Sequence, residues 1–568
     1  MKKKIIITAV VAIVVALLVI AFTTGLLDKV LPAVKKTAPK VIITSLTKFF
    51  VLTLGIGYIT RALQARKDRF LDGVVDHSLM DGYTLMVGYD FQAKPLIKRL
   101  LSGSKTMRVL VLTNRDVRKI RAEMSTELTE EEAKRLLYMR RDLALQSSYA
   151  GLRIRGAAAV YVLGDDGASG RDGIVLRASE MIASKAASET KNTGDKPVKA
   201  YLQFEDPGVY SQMCSCELSM DGRDGDGVPL FDLEVFNYFD SWVWKCWSEK
   251  NSADGAEPYL PLLYKSAAKR VELFAIGGGK AMKSLIDAAV TLMNYGDDDR
   301  HCRLSVVSDR AFEVMPPEDA ISELPELEMV ACPMRDLAQG VAARMTEASA
   351  DANAATTIVI VEDAPEKAIK TYLSLPFALR STNVSVLLWM GSQSRNLPDK
   401  RLIKVDGDNT QLRYFGMSDC LPWLEGNRHA CGADINFYYS VHQKLPKGVD
   451  PTLVAAAKGL WNELTAVSEW NASKRWKKRS SINSSGSFKE KAALIAGRTL
   501  TPELQLKLLK AEHNRWWTER LLGDWRVGER DNVRRLHPNL VPFEELDDFT
   551  KDIDKICIAA MAHQQFIG

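Results

Sequence analysis

Residues 83–91 read YTLMVGYDF, and residues 271–282 read VELFAIGGGKAM. In both stretches an apolar run ends at a glycine. Such a run is typical of a strand that is buried on both faces of a parallel sheet. A glycine directly after the strand allows the close turn that leads into a helix. The two stretches therefore predict the first strands of two separate sheets.

Further apolar, β-branched runs follow both stretches and alternate with helical segments. In the first series the predicted strands are Tyr83–Tyr89, Arg108–Thr113, Ala158–Leu163 and Val198–Phe204. In the second series they are Val271–Ile276, Leu304–Val307, Met329–Cys332, Thr357–Val361 and Val384–Trp389. The alternation predicts an α/β fold with two tandem Rossmann-like domains, at residues 75–262 and 265–425. Such sheets bind ligands at the carboxyl ends of their strands.

The loop after the first strand of the first series keeps a single glycine, Gly88. A dinucleotide loop reads G-x-G-x-x-G, since its glycines let the backbone approach a pyrophosphate at a helix N-terminus. The second strand ends at Thr113 without the acid that usually holds a ribose. A structural or altered pocket is therefore as compatible with the sequence as nucleotide binding. The pair Asp165-Asp166, at a later strand end, is interpreted as a solvated loop pair.

The loop of the second series is closer to the dinucleotide pattern. Gly277 and Gly279 fit the first two glycine positions, and Met282 replaces the third. Asp309 follows the next strand and is a candidate for contact with a ribose hydroxyl. A nucleotide site at Gly277, Gly279 and Asp309 and a tight turn without a ligand are both open. Lys280 is a candidate phosphate contact or a solvated lysine.

The N-terminal residues predict a membrane region at residues 1–66. Residues 5–27 carry no charge and are long enough to span a bilayer, and Lys2 to Lys4 precede them. We expect a retained helix here rather than a signal peptide. A second apolar stretch, residues 41–60, is interrupted by Lys48 and predicts a second span, with a re-entrant or interfacial helix as the alternative. The bulk of the chain is then cytoplasmic, beneath the inner cell membrane.

Composition excludes some functions. The chain has 568 residues and a net charge of +5, from 76 basic and 71 acidic residues, which does not favour nucleic-acid binding. Its 8 cysteines include no CxxC pair, so no metal site is predicted and a reducing cytoplasm is expected. No Ser/His/Asp, Cys/His or paired-carboxylate pattern stands out, and no catalytic residue is predicted.

The C-terminal part divides into a helical linker, residues 426–498, and a small module, residues 499–568. Clusters of serine, lysine and arginine at residues 471–490 predict an exposed connection. Thr501-Pro502-Glu503 is a typical helix start. Charged and aromatic side chains in the module can hold a planar base and its phosphates. The candidate ligand residues are Glu512, Arg515, Trp516, Trp525, Arg526, Arg530 and Asp531, although the tryptophans are also suited to a core.

Two family resemblances are visible. Residues 83–206 resemble the TrkA-N or RCK regulatory domain in the strings LMVG, VYVLGDD and KAYLQFED. The strings AEHNRW, GDWRVG and LHPNLVPFEEL, within residues 500–560, closely resemble the RyR domain of ryanodine receptors and bacterial proteins. The first resemblance implies a regulatory fold whose members bind NAD, ADP, ATP or cyclic dinucleotides, often as dimers. The second implies a small helical module that receives adenine-containing ligands.

Together these features predict a membrane-anchored sensor or effector rather than an enzyme. The expected ligand is nucleotide-derived, such as ADP-ribose, a cyclic nucleotide, NAD or ATP. The expected output is ion flux or another change in the membrane, in stress or antiviral signalling, by a homo-oligomer. A regulatory subunit of a potassium channel or transporter is one alternative. An NAD(P)-dependent enzyme using residues 277–309 is the other.

Overall fold

The computed structural model describes residues 38–77, 81–190, 196–225, 227–248, 250–251, 256–258, 270–293, 301–324, 327–362, 364–391, 407–416, 427–444, 463–488, 491–492 and 499–564. The chain divides into two compact units, Met1–Val75 and Asp76–Gly568. The first unit contains helix α1, Ala38–Leu71, whose side chains are described from residue 53. Within the described part of the chain, no helix is both long and apolar enough to cross a membrane. Residues 5–27 lie outside the described residues, and both membrane spans stay predictions.

The first Rossmann-like domain is a six-stranded sheet in which every described pair of neighbouring strands is parallel. Its strand order is β3-β2-β1-β4-β5-β6. The strands are β1 Tyr83–Val87, β2 Arg108–Thr113, β3 Leu136–Arg140, β4 Ala157–Val162, β5 Val198–Phe204 and β6 Phe231–Asn237. The four predicted strands are confirmed, and β3 and β6 were not predicted. The order reverses between β1 and β4, where doubly wound sheets bind ligands.

Helices and turns connect these strands and cover both faces of the sheet. The helices are α2 Ala93–Gly103, α3 Val117–Ser125, α4 Glu130–Lys134, α5 Arg171–Ser188, α6 Pro207–Ser215 and α7 Tyr238–Ser248. A short antiparallel pair, β7 Lys250–Asn251 and β8 Ala256–Pro258, follows α7. The two faces of the sheet are packed as separate apolar clusters, one around Leu85 and Leu110 and the other around Met86 and Val111.

The second Rossmann-like domain repeats the same order, β11-β10-β9-β12-β13-β14, again with parallel neighbours. Its strands are β9 Arg270–Gly277, β10 His301–Val307, β11 Leu327–Cys332, β12 Ala354–Val361, β13 Ser385–Trp389 and β14 Gln411–Phe415. Its helices are α8 Gly279–Met293, α9 Ala311–Val314, α10 Glu318–Ser322, α11 Ala342–Ala350, α12 Pro365–Ser374 and α13 Phe377–Arg380. The prediction of two tandem Rossmann-like domains is confirmed.

The C-terminal part is largely helical. It contains α14 Asn427–Lys444, α15 Glu463–Ala472, α16 Arg475–Gly486, α17 Pro502–Leu522 and α18 Asp548–His563, with a short strand pair, β15 Arg526–Val527 and β16 Leu536–His537. Helix α17 begins as predicted, since the Thr501 hydroxyl accepts the amide N–H of Leu504. Its residues Trp517 and Leu521 pack against the second domain in one cluster with Leu285 of α8.

The expected exposed connection at residues 471–490 is corrected by helix α16, which packs against α14 and α6. Lys478 is buried, with its ammonium over the ring of Trp470, and the Arg479 guanidinium lies 4.5 Å from the ring centre of Tyr210. Arg475 forms an ion pair with Asp221 of the first domain. The basic residues thus join α16 to its neighbours, because aromatic rings and carboxylates receive their charges.

Candidate functional site

The carboxyl ends of β1 and β4 meet at two glycines. Gly88 has a φ of +93°, and a Cβ atom there would clash with the backbone of Gly164. Gly277, the equivalent residue of the second domain, has a φ of +121° and would clash in the same way with Val361. Each position therefore requires glycine, both for its backbone conformation and for the close approach of two strand ends.

Asp90 occupies the anion-binding position of the first domain. Its carboxylate is fully buried, and Oδ1 accepts the amide N–H groups of Gln92 (2.9 Å) and Ala93 (3.0 Å) at the start of α2. Free N–H groups and the helix dipole normally attract a phosphate to this place. Oδ2 accepts hydrogen bonds from Arg171 (2.6 Å) and Gln203 (3.1 Å). The protein's own carboxylate thus stands where a pyrophosphate would bind.

Asp165 closes the neighbouring gap between the tips of β1 and β2. Its Oδ1 accepts the Tyr89 amide N–H (2.9 Å) and the Thr113 hydroxyl (2.5 Å), while Oδ2 accepts the Asn114 amide N–H (2.9 Å). Asp165 is buried, so the interpretation of the Asp165-Asp166 pair as solvated was wrong for Asp165, whereas Asp166 is exposed. Asp90 and Asp165 thus use the backbone N–H groups at the tips of β1 and β2 on which a dinucleotide relies in the familiar mode.

A cleft lies beside this filled position, at the ends of β4 and β5. It has a volume of about 370 Å³ and is lined by Phe91, Tyr238 and Phe239 and by charged side chains. The charged residues of its lining are Asp166, Arg171, Glu205 and Lys280. Lys280 lies in the first turn of α8 in the second domain, and its ammonium is 3.0 Å from a Glu205 carboxylate oxygen. We name this space the interdomain cleft, because both Rossmann-like domains form its wall.

Asp166 has the most perturbed acid–base behaviour in the interdomain cleft. Burial raises its pKa to about 6, and the neighbouring charge of Asp90 acts in the same direction. Arg171 (4.0 Å) and Arg115 (3.8 Å) oppose the rise. A second cavity of about 230 Å³, towards Asn114, shares Asp166 in its lining. The Asp166 side chain, which is 40% exposed, therefore lies between two spaces, and its pKa is raised above that of an ordinary aspartate.

The interdomain cleft combines aromatic rings with charges of both signs. Aromatic rings stack on planar groups. Guanidinium and ammonium groups bind oxyanions, and carboxylates accept hydrogen bonds from hydroxyl groups. Its volume lies within the range of small-molecule sites, roughly 300–1,000 Å³. Among the described residues, no group of three or more His, Cys, Asp or Glu side chains is arranged to hold a metal ion. The arrangement suits a small polar organic ligand.

The predicted residues of the second domain keep the geometry of a glycine turn. Gly279 has a φ of +86°, and the Gly278 amide donates to the Val361 carbonyl (3.0 Å). Asp309 is exposed at the end of β10, where its Oδ1 accepts the Met334 amide N–H (2.9 Å). One carboxylate oxygen thus holds the next connection. A ligand role for Gly277, Gly279 and Asp309 stays a prediction.

Two of the predicted C-terminal residues form a buried ionic network. Glu512 and Arg515 are 1% and 3% exposed, and their side chains are joined at 2.8 Å. Arg515 also pairs with Glu519 (2.6 Å), and Lys491 pairs with Glu512. Burial opposes the ionisation of Glu512, but Arg515 and Lys491 outweigh burial and hold its pKa down at about 2. These charges join helix α17 to the preceding segment.

Arg520, which is not among the predicted residues, lies among three tryptophans. The centre of its guanidinium is 5.2 Å from the ring of Trp476, 5.6 Å from Trp516 and 5.3 Å from Trp525. The predicted residues Trp516 and Trp525 therefore surround a cation of the protein itself, which we call the tryptophan box. The signal in the sequence was the spacing of four residues between Trp516 and Arg520 on one helix face.

The remaining predicted residues lie apart from these groups. Arg526 forms an ion pair with Asp319 of α10 (2.6 Å) and so connects the C-terminal module to the second domain. Asp531 accepts the amide N–H groups of Val533 and Arg534 in a turn, and Arg530 is exposed. The structure thus distributes the seven C-terminal candidates over several places. Their role in ligand binding stays a prediction.

Comparisons with known proteins give remote similarities. No protein-family model matches the chain, and no curated protein matches it. Similar solved structures include GsuK bound to ADP, with 14% identity, 62% of this chain and 74% of that chain covered, and a TM-score of 0.35. The GsuK RCK domain has 12% identity, coverage of 64% and 80%, and a TM-score of 0.33. The human SLO3 gating ring has 7% identity, coverage of 60% and 81%, and a TM-score of 0.35.

These similarities are too remote to carry an argument about function. The strand order itself defines the class, a chain with two tandem doubly wound domains.

Proposed function

We propose that this chain is a ligand-responsive regulatory protein whose signal, a nucleotide-derived molecule, binds in the interdomain cleft. The observation that carries the proposal is the ion pair between Lys280 of the second domain and Glu205 of the first, inside that cleft. A ligand that contacts either side chain acts on both domains at once. It can shift their arrangement because it binds the arrangement with the matching contacts more tightly.

A nucleotide matches the lining of the cleft. The rings of Phe91 and Phe239 provide surfaces for a base, and Lys280 and Arg171 provide positive charge for phosphates. Glu205 can accept hydrogen bonds from ribose hydroxyl groups. ADP-ribose, cyclic nucleotides, NAD and ATP share these three features. Asp90 fills the usual phosphate position, so the ligand lies towards β4 and β5 instead.

The response in this proposal passes to the membrane. The N-terminal segment anchors the chain at the inner membrane, and the bulk of the chain lies in the cytoplasm. A homo-oligomer couples ligand binding to ion flux or to another change in the membrane, and the chain has no catalytic role. The RyR-like module, through its half-buried Arg526, is the second place where the signal binds.

Isothermal titration of the full-length chain with ADP-ribose, NAD, ATP and a cyclic dinucleotide tests the proposal. We expect saturable binding of at least one of them, weakened about tenfold or more in Lys280→Met through loss of a charged contact. Lys98→Met is the matched control, since Lys98 is an exposed lysine paired with Glu127 at 3.3 Å. No binding of any nucleotide, or equal binding by both variants and wild type, would refute the proposed site.

The same preparation distinguishes the two alternative functions. Oxidation of NADH, followed by its absorbance, would identify an NAD(P)-dependent enzyme. Co-purification with a separate pore-forming protein would identify a regulatory subunit. A sensor with its own membrane segment gives neither result.

A further inference from the structure

One face of the second sheet carries polar residues near the amino ends of β9, β10 and β11, although the rest of this face is packed as an apolar cluster around Phe274 and Ile276. In the register of β9, β10 and β11, Glu272 lies opposite Arg303, and Arg303 lies opposite Glu328. In the next row on this face, Ser305 lies between Phe274 and Val330. Strands covered on both faces normally carry apolar residues at such positions. Departures from that pattern are expected at functional sites.

In the first domain, the equivalent face of the sheet is apolar and is covered by apolar side chains. Gly88 and Gly277 are equivalent, so Ser305 in β10 corresponds to Leu110 in β2. Leu110 packs in a cluster with Tyr149 and Leu152 from the connection between β3 and β4. In the second domain the corresponding space is a groove of about 670 Å³. Its polar lining includes Glu272, Arg303, Ser305, Glu328, Arg344 and Glu347.

The groove contains hydrogen-bond donors that lack an acceptor. Ser305 is 1% exposed, and its hydroxyl has no partner among the described residues. The Nε of Arg303 is also buried without a hydrogen-bond partner among the described residues, although the Nη2 of Arg303 contacts Glu328 at 3.2 Å. The Arg344 guanidinium contacts the Cys332 thiol (3.1 Å), and no described carboxylate forms an ion pair with it. Buried donors in this condition favour an acceptor from outside.

We propose that this groove is a further ligand site, which binds the oxyanion of a small polar molecule through Arg344, Arg303 and the Ser305 hydroxyl. An oxyanion is the acceptor that a guanidinium and a hydroxyl bind best together. Glu272, which pairs with Arg270 at 3.2 Å, and Glu328 lie on the same wall, and their remaining carboxylate oxygens accept hydrogen bonds from the rest of the molecule. The oxyanion is a phosphate or a carboxylate, and the two sources share this chemistry. The site is separate from the interdomain cleft and does not rest on it.

The sheet itself supplies a variant that closes the groove. Ser305→Leu introduces the residue that the first domain carries at the equivalent position, so the side chain fills the cavity with apolar atoms and removes the hydroxyl. Arg344→Gln removes the half-buried guanidinium while keeping a similar side-chain length. Arg335→Gln is the control, since the Arg335 side chain is 85% exposed and lies outside the groove lining.

Titration of the full-length chain with pyrophosphate and, separately, with succinate tests the site. We expect saturable binding of one probe, unchanged in Arg335→Gln, about tenfold weaker or more in Arg344→Gln, and abolished in Ser305→Leu. Binding of pyrophosphate assigns a phosphate ligand, and binding of succinate alone assigns a carboxylate. Absence of binding by both probes overturns the proposal, as does binding that Arg344→Gln leaves unchanged. Arg344→Gln decides the outcome if Ser305→Leu does not fold.

Discussion

The carboxylate of Asp90 accepts a 2.6 Å hydrogen bond from the guanidinium of Arg171, and both side chains are buried beneath the carboxyl ends of β1 and β4. Asp90 stands at the start of α2, and Arg171 stands at the start of α5. One ion pair therefore fixes two helices to the point where the strand order of the first sheet reverses.

Removing one partner of this pair should cost much stability. Asp90→Ala leaves Arg171 buried without its closest carboxylate, and we expect a loss of about 3–5 kcal/mol in the free energy of unfolding. Urea unfolding of the full chain measures it. Arg177→Ala breaks the exposed pair with Glu180 and should cost less than about 1 kcal/mol. Equal losses in both variants would contradict a structural role for Asp90.

Asp166 should make stability depend on pH. Burial raises its pKa from 3.8 to about 6, so the folded chain binds this proton more tightly than the unfolded chain does. Stability therefore falls as pH rises from about 4 to about 6, and the cost stays complete at higher pH. Asp166→Asn should be more stable than wild type at about pH 7.5, with a difference that shrinks towards about pH 4. Unfolding midpoints across this range measure it, and a difference independent of pH would disprove the assignment.

The glycine at the strand crossing should tolerate no side chain. Gly88→Ala places a Cβ against the backbone of Gly164 at a positive φ, and we expect a loss of at least about 2 kcal/mol. Gly173→Ala lies in helix α5 with open space around it and should instead gain about 0.5–1 kcal/mol. Thermal unfolding of both variants tests the contrast. A mild effect of Gly88→Ala would show that the strand ends can separate.

The cation of the tryptophan box, Arg520, should contribute to the stability of the fold. Arg520→Met removes the charge and keeps an apolar side chain, so we expect a loss of about 1–3 kcal/mol from contacts with three rings. Tryptophan fluorescence should change in the same variant, because the guanidinium lies against the rings. Arg534→Met, an exposed arginine of the same module, is the control. An unchanged spectrum and midpoint in Arg520→Met would contradict the arrangement.

The central strands could be predicted from the sequence, but three of the edge strands could not. Strands β1, β4 and β12 are continuous apolar runs because helices cover both faces. β6, FDLEVFN, and β14, QLRYF, alternate polar and apolar residues, as expected of strands at the ends of a sheet. β3, LLYMR, is short and follows the acidic helix α4. A search for unbroken apolar runs therefore misses β6 and β14, and the apolar run of β3 looks like a continuation of helix α4.

The candidate site was predicted in part. The carboxyl edge of the first sheet and Lys280 follow from the strand and glycine pattern. The filling of that edge by Asp90 and Asp165 does not, because it depends on pairing between residues 76 positions apart, Tyr89 and Asp165. Likewise, Lys478 lies in a segment whose composition is typical of a loop. Its burial over Trp470 is a tertiary contact, which local sequence does not predict. Local pattern gives the frame, whereas long-range polar pairing determines which positions stay open.

The two sheets share one strand order, so the chain carries its scaffold in duplicate. In the first copy, Asp90 supplies the negative charge that the start of α2 attracts. The free N–H groups at this helix start are therefore occupied by the protein's own carboxylate. In the second copy, three consecutive glycines keep the crossing free of side chains, and polar residues line a groove where the first copy has apolar ones. Because the fold is duplicated, the first domain can serve as a rigid scaffold without a ligand at its helix start. The second domain can then carry a polar groove without destabilising the first domain.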